Sequence, residues 1–214
     1  LDGSTETGRR VLGWRPEPSD VIALRLAGAL HCLALQGRGA DLANVYPPNS
    51  GGDVEEAVTA ALKRHDEWIR AWLDSPPQTN ETGRSAVLLP GFLEIARRTR
   101  LPLALNEIGS SAGLNLFFDY FRYRYDSKDW GDPAYPVTLV PQLRGAVPDL
   151  SGALTIASRA GSDIAPLNVR NENDRLRLRS YIWPDQSERL ARLDAALAVA
   201  QQGGFTLERA DAAD

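Results

Sequence analysis

A chain of 214 residues, 43% apolar and 24% charged, has the composition of an ordinary globular protein and enough length to bury a substantial core in one or two domains. Its formal net charge of −4 gives no electrostatic basis for holding nucleic acid or an anionic membrane. No apolar run approaches the roughly 20 residues of a membrane span, and no secretory leader pattern is visible. The single cysteine, Cys32, excludes an intrachain disulfide and a multi-cysteine metal site, so the expected setting is a reducing cytoplasm.

Residues 1–18 are polar, with prolines at 16 and 18, and read as irregular. Ser19 and Asp20 can cap a helix over residues 21–36, with Gly37 as its stop. His31 and Cys32 lie within this apolar pattern, which makes His31 a packed side chain before it is a ligand. YPPNSGG at 46–52 reads as a loop. Asp53 with Glu56 then resembles a capping box for a second helix to about residue 73. Val58, Leu62, His65, Ile69 and Trp72 recur every three or four positions, placing His65 on the packing stripe. Two scattered histidines without Cys/His spacing do not make a metal site.

Pro76-Pro77 ends that helix. Gln78, Thr79, Asn80, Glu81 and Arg84 then crowd polar groups into seven residues. They read either as the cap of the next helix or as one wall of a site. The helix that follows carries Pro90-Gly91 as a possible kink or break. LPLALNEI, from residue 101, reads as a short buried strand, followed by the small-residue turn GSSAG and a helix over 114–120. Residues 122–151 read as loop with at most one short strand. ALTIASRAGSDIAPLNV reads as a second strand turning at Gly161-Ser162-Asp163. A helical stretch over about 174–183 follows, and Pro184 suits the first turn of another helix to about residue 202. FTLERADAAD reads as a third strand running into a loop. The Arg97-Arg98 and 175–179 arginine runs lie on helical patterns and read as solvated faces. Strand, helix, strand, helix, strand is the grammar of a parallel α/β sheet.

In such a sheet, ligands bind beyond the C-terminal strand ends, so the chemistry should gather there. The first strand is followed by Glu107-Ile108-Gly109-Ser110-Ser111-Ala112-Gly113, the second by Asp163 and the third by Asp211. This trio resembles the cofactor elements of Rossmann-like S-adenosylmethionine-dependent methyltransferases: an acidic residue before G-x-G-x-G, here with Ser111 at the middle glycine. Gly109 to Asp163 is a longer interval than the roughly 20 residues of a dinucleotide-binding unit, which requires an insertion over about 122–151. A tight turn with no ligand is the plain alternative. G-S-S-A-G also fits the G-x-S-x-G nucleophile elbow. That elbow needs a histidine after the serine, however, and both histidines precede Ser111.

Several stretches together resemble a bacterial family known as domain of unknown function 2332: VIALRLAGALHCLAL, SPPQTNETGRSAVLLPGFLEIA, EIGSSAGLNL, GSDIAPLNV and YIWPDQSERLARLDAALAVA. The resemblance implies a candidate pocket rather than an established reaction. On the matching positions that pocket is Glu107, Gly109, Ser111, Gly113, Asn115, Asp163 and Asp211, for S-adenosylmethionine. Gln78, Asn80, Glu81 and Arg84, and separately Trp183, Asp185 and Gln186, are candidates for an opposite wall. Glu81 and Asp185 are the carboxylates available as a base.

The expected architecture is α/β: a helical region over 1–100, then a Rossmann-like parallel sheet over 101–214 whose later strands are missing. The resemblance and the complete absence of methionine both point to a trimmed chain or to lost positions. The expected activity is methyl transfer to an unknown acceptor. A non-catalytic binding or scaffold module is the alternative, and a Ser111 hydrolase is a third reading. A small-molecule ligand is expected, with neither nucleic acid nor membrane as partner.

Overall fold

A computed structural model describes residues 3–15, 21–49 and 51–213. The protein is α/β, with a helical N-terminal region and a parallel sheet, as expected. The chain forms two compact units, residues 1–79 with 176–187, and residues 80–175 with 188–214. The division therefore falls before Asn80 rather than near residue 100. The helix at 85–99 belongs with the sheet it precedes, and residues 176–187 join the helical unit.

The helical unit is built from α1 (Glu6–Leu12), α2 (Ile22–Leu35), α3 (Ala40–Val45) and α4 (Val54–Trp72). Its core gathers Leu26, Leu30, Leu33, Leu42, Leu62 and Ile69. Gly37, at φ +65°, follows α2 as the predicted stop. The proposed caps Ser19 and Asp20 lie outside the described residues. Asp53 caps α4 as predicted, its Oδ1 accepting from the amides of Glu55 and Glu56 at 2.8 and 3.1 Å.

Residues 6–12, read as irregular, form a helix instead. Thr5 caps it, and the Asp66 carboxylate of α4 accepts from the Glu6 and Thr7 amides at 2.9 and 2.8 Å. Asp66 is partly desolvated, which opposes its ionisation. Hydrogen bonds from Thr7 and Glu6 and the charge of Arg70 nevertheless hold it below its ordinary value. Such long-range docking is invisible in a seven-residue window. His31 is buried, with Nδ1 3.2 Å from the Ser180 carbonyl and its ring stacked on Tyr46. Burial lowers its pKa, so it stays neutral and structural.

The second unit carries α5 (Ser85–Thr99), then β1 (Leu103–Ile108), β5 (Ile156–Asp163) and β6 (Thr206–Arg209) as one parallel sheet in the order β1-β5-β6. Leu105 is buried and Glu107 half-buried on one face of β1, while Ala104, Asn106 and Ile108 face solvent. The strand is therefore half-exposed rather than buried as its apolar run suggested. Residues 114–120 form a 3₁₀ helix, with Phe117 departing from helical geometry. Residues 121–139 hold three strands where at most one was expected: β2 (Phe121–Tyr125) pairs antiparallel with β3 (Lys128–Trp130) and parallel with β4 (Val137–Leu139). The reason is alternation. Phe121, Tyr123 and Tyr125 are all at 1% exposure or less, with Arg122 and Arg124 between them on the opposite face.

Pro90 sits inside an unbroken α5. Proline has no N–H, so the carbonyl four residues back, on Ala86, loses its helical donor. The Tyr125 hydroxyl replaces it at 2.6 Å. Between β5 and β6, α6 (Glu172–Ser180) starts slightly before its predicted bounds, and α7 (Ser187–Gln202) starts three residues after Pro184. Pro184 lies instead in a turn closed by the Gln186 amide on the Trp183 carbonyl at 2.9 Å.

Candidate ligand site at the strand tips

The turn after β1 folds because three of its residues take left-handed backbone: Gly109 at φ +65°, Ser111 at +54° and Gly113 at +71°. Ser111 thus occupies a conformation that glycine favours, at the middle of the turn. A side chain at Gly113 would come within 2.9 Å of the Phe205 ring. Gly109 differs, because no atom lies within 4 Å of where its Cβ would be.

Contacts link the tips of the three strands. The Ser110 amide donates to the Ser162 carbonyl at 3.0 Å, beyond the last β1–β5 pair. Asp163, at the end of β5, binds both neighbours. Its Oδ2 accepts from the Ser111 amide at 2.8 Å, Oδ1 accepts from Ala165 at 2.8 Å, and its carbonyl accepts from the Ala210 amide after β6 at 3.1 Å. The Leu167 amide then closes over the Ser111 carbonyl at 3.1 Å. Gly109, Ser111, Gly113 and Asp163 are therefore brought together. Asp211 follows directly after Ala210, but it is exposed and accepts from the Ala213 amide within its own turn.

Ser110, Ser111 and Ala112 are at 3% exposure or less, and Asp163 is at 8%. Ser111 is thus a buried turn residue, which gives a nucleophile elbow no support. His65 Nε2 lies 2.9 Å from the Arg38 carbonyl, so each histidine has a ring nitrogen engaged by main chain in the helical unit.

The polar cluster before α5 also has defined tasks. Asn80 Oδ1 accepts from the Leu114 amide at 2.9 Å and so caps the segment after the turn. Glu81 accepts from the Gly83 amide at 2.9 Å and pairs with Arg189 of α7 at 2.6 Å, with Arg192 at 3.8 Å. That carboxylate is a cap and ion-pair partner, which leaves it poorly placed to act as a base. Arg84 is exposed at the start of α5. Gln78, Trp183, Asp185 and Gln186 belong to the helical unit, where Gln78 is buried and Trp183 and Asp185 are exposed.

Glu107 and Asn115 form a separate arrangement. Asn115, 7% exposed, accepts from the Ser85 hydroxyl at 2.8 Å and hydrogen-bonds the Glu107 carboxyl. Burial pushes Glu107 up to about 6, against the opposing effects of Asn115 and the Arg84 charge. The carboxyl borders a cavity of about 310 Å³ that is lined by four successive β1 residues and by no residue of β5 or β6. Sequence reasoning placed Glu107 and Asn115 in the ligand site but missed Ser85, whose contact spans 30 residues. It also missed Arg159 and Asp119. Arg159 sits on β5, and its guanidinium binds Asp119 through two bonds of 2.7 Å, beside the rings of Phe117 and Tyr120. An arginine inside an otherwise small-residue strand was the available signal.

Among the described residues, no group of three His, Cys, Asp or Glu side chains could hold a metal ion, and no helix is long and apolar enough to cross a membrane.

A helical N-terminal region followed by three parallel strands, their tips joined by a small-residue turn and a strand-end aspartate, defines an α/β protein. The whole chain, residues 1–214, matches a family described as an uncharacterized protein conserved in bacteria, domain of unknown function 2332, and it belongs to that family. No curated protein and no solved structure matches it.

Proposed function

We propose that the protein binds a ligand of the S-adenosylmethionine type over the tips of β1 and β5 and transfers its methyl group to a small acceptor. The observation carrying this reading is the contact between Ser111 and Asp163. It sets a left-handed turn and a strand-end carboxylate side by side at the tips of adjacent parallel strands. Open space at Gly109 lets a ligand approach the main chain there. Both Asp163 oxygens accept from backbone amides, which fixes the carboxylate at the strand tip, where a ribose-binding carboxylate would stand.

Bound S-adenosylmethionine supplies an electrophilic methyl on positively charged sulfur. The chain's own contribution is then to hold the acceptor in line and exclude water, without an obligatory base. Ile108 and Ile164, 71% and 60% exposed beside the two tips, give an apolar rim for that purpose.

A second reading has its own observation. Both Asp163 oxygens serve main-chain amides and Ser110, Ser111 and Ala112 are buried, as in a scaffold that keeps the fold without a cofactor. Calorimetric titration with S-adenosylmethionine separates the two. The cofactor reading expects saturable one-to-one heat that falls at least tenfold in Gly109→Asn, because asparagine tolerates the left-handed backbone there and its side chain crowds the open approach. A folded wild-type protein that gives no heat favours the scaffold and rejects the cofactor.

A further inference from the structure

The cavity at β1 asks for a ligand of its own. Leu88 and Phe92 of α5 and Phe118 supply apolar walls, and Phe92 stacks on Phe118 with ring centres 4.6 Å apart. At about 310 Å³ it lies at the lower end of the ~300–1,000 Å³ range of small-molecule sites. Glu107 Oε2 is buried and has no hydrogen-bond partner. Asn115, which Ser85 orients, hydrogen-bonds the carboxyl, and Ser85 is wholly buried.

Among the described residues no lysine or arginine forms a salt bridge with Glu107. The one positive group acting on it is Arg84, which is solvent-exposed. A carboxylate oxygen left without a donor against apolar walls is costly, and a charge-assisted hydrogen bond is the strongest remedy. An ammonium offers three donors. An aryl or branched alkyl group attached to it would meet Leu88, Phe92 and Phe118.

We propose that this cavity binds a small primary amine bearing an aryl or branched alkyl group, with its ammonium paired to the Glu107 carboxyl that borders the cavity. The site does not depend on the methyltransferase reading. Amine and S-adenosylmethionine titrations are separate measurements, and either can fail alone.

The probes are phenethylamine and its neutral isostere 2-phenylethanol, titrated calorimetrically at pH 7.5. Phenethylamine is expected to saturate one site, with the alcohol at least tenfold weaker. Glu107→Gln should weaken the amine at least tenfold and leave the alcohol unchanged. Leu88→Trp, which fills the cavity from the opposite wall, should abolish amine binding while Glu107 stays intact. With the Glu107 carboxyl pushed up to about 6, amine affinity in the wild type should fall about tenfold between pH 7.5 and pH 5, as the counter-ion takes up its proton. The amine remains charged throughout. If Glu107→Gln does not fold, the alcohol comparison, Leu88→Trp and the pH profile still decide. The proposal is overturned if the wild type gives no saturable heat with phenethylamine, if the alcohol binds equally well, or if affinity is independent of pH.

Discussion

Ser111 is held at φ +54° with 3% exposure, where a β-carbon strains the backbone by about 1 kcal/mol. Glycine removes that strain but adds a comparable entropy to the unfolded chain, so the two effects nearly cancel. Ser111→Gly should therefore melt within a few degrees of the wild type. Ser111→Val puts a branched side chain into the same buried left-handed position and should lose about 2–4 kcal/mol in a denaturant titration. The dihedral need was readable at Gly109 and Gly113, because glycine announces it. At Ser111 only the spacing of the motif pointed there. The Ser85–Asn115–Glu107 chain was not readable, since no local rule links positions 30 residues apart.

Among the elements, α5 shows how a local exception is repaired from a distance. The Pro90-Gly91 pair suggested a kink or break, yet the helix runs from Ser85 to Thr99 because Tyr125 serves the Ala86 carbonyl. Tyr125→Phe leaves that buried acceptor without a partner and should cost about 1–3 kcal/mol. Pro90→Ala restores the missing helical donor, so in the Tyr125→Phe background it should recover most of the loss. The measurement is a double-mutant cycle of unfolding free energies, and additive costs would refute the link. The main helices and three parallel strands were legible because apolar periods and turn residues mark them. The element α1 is too short for periodicity to show, and it gains its place from Asp66, some 60 positions away. The strand β2 did carry its signal, the alternation FRYRY, but the Tyr- and Asp-rich surroundings obscured it.

For the whole molecule, each compact unit has its own buried set of side chains, and within the second the sheet is tied to residues 114–120 by Arg159 and Asp119. Their side chains are only 10% and 17% exposed, so removing one leaves a poorly solvated charge behind. Asp119→Ala should destabilise by about 3 kcal/mol, and the paired replacement Asp119→Leu with Arg159→Met should cost clearly less. Chemical unfolding of the single and double variants checks this order. The helical N-terminal region and the α/β class followed from the order of elements. The division at residue 80 did not, because it depends on where residues 176–187 fold back.

Asp163 grips three strand ends through both its carboxylate and its carbonyl, so the strand tips behave as one mechanical piece. Under the proposed cofactor binding, that piece yields to a bulky ligand only by loosening all of those ends together. Fitting ligands of different size would then fall to the outward-facing isoleucines at 108 and 164, whose side chains can re-orient without unfastening the strands.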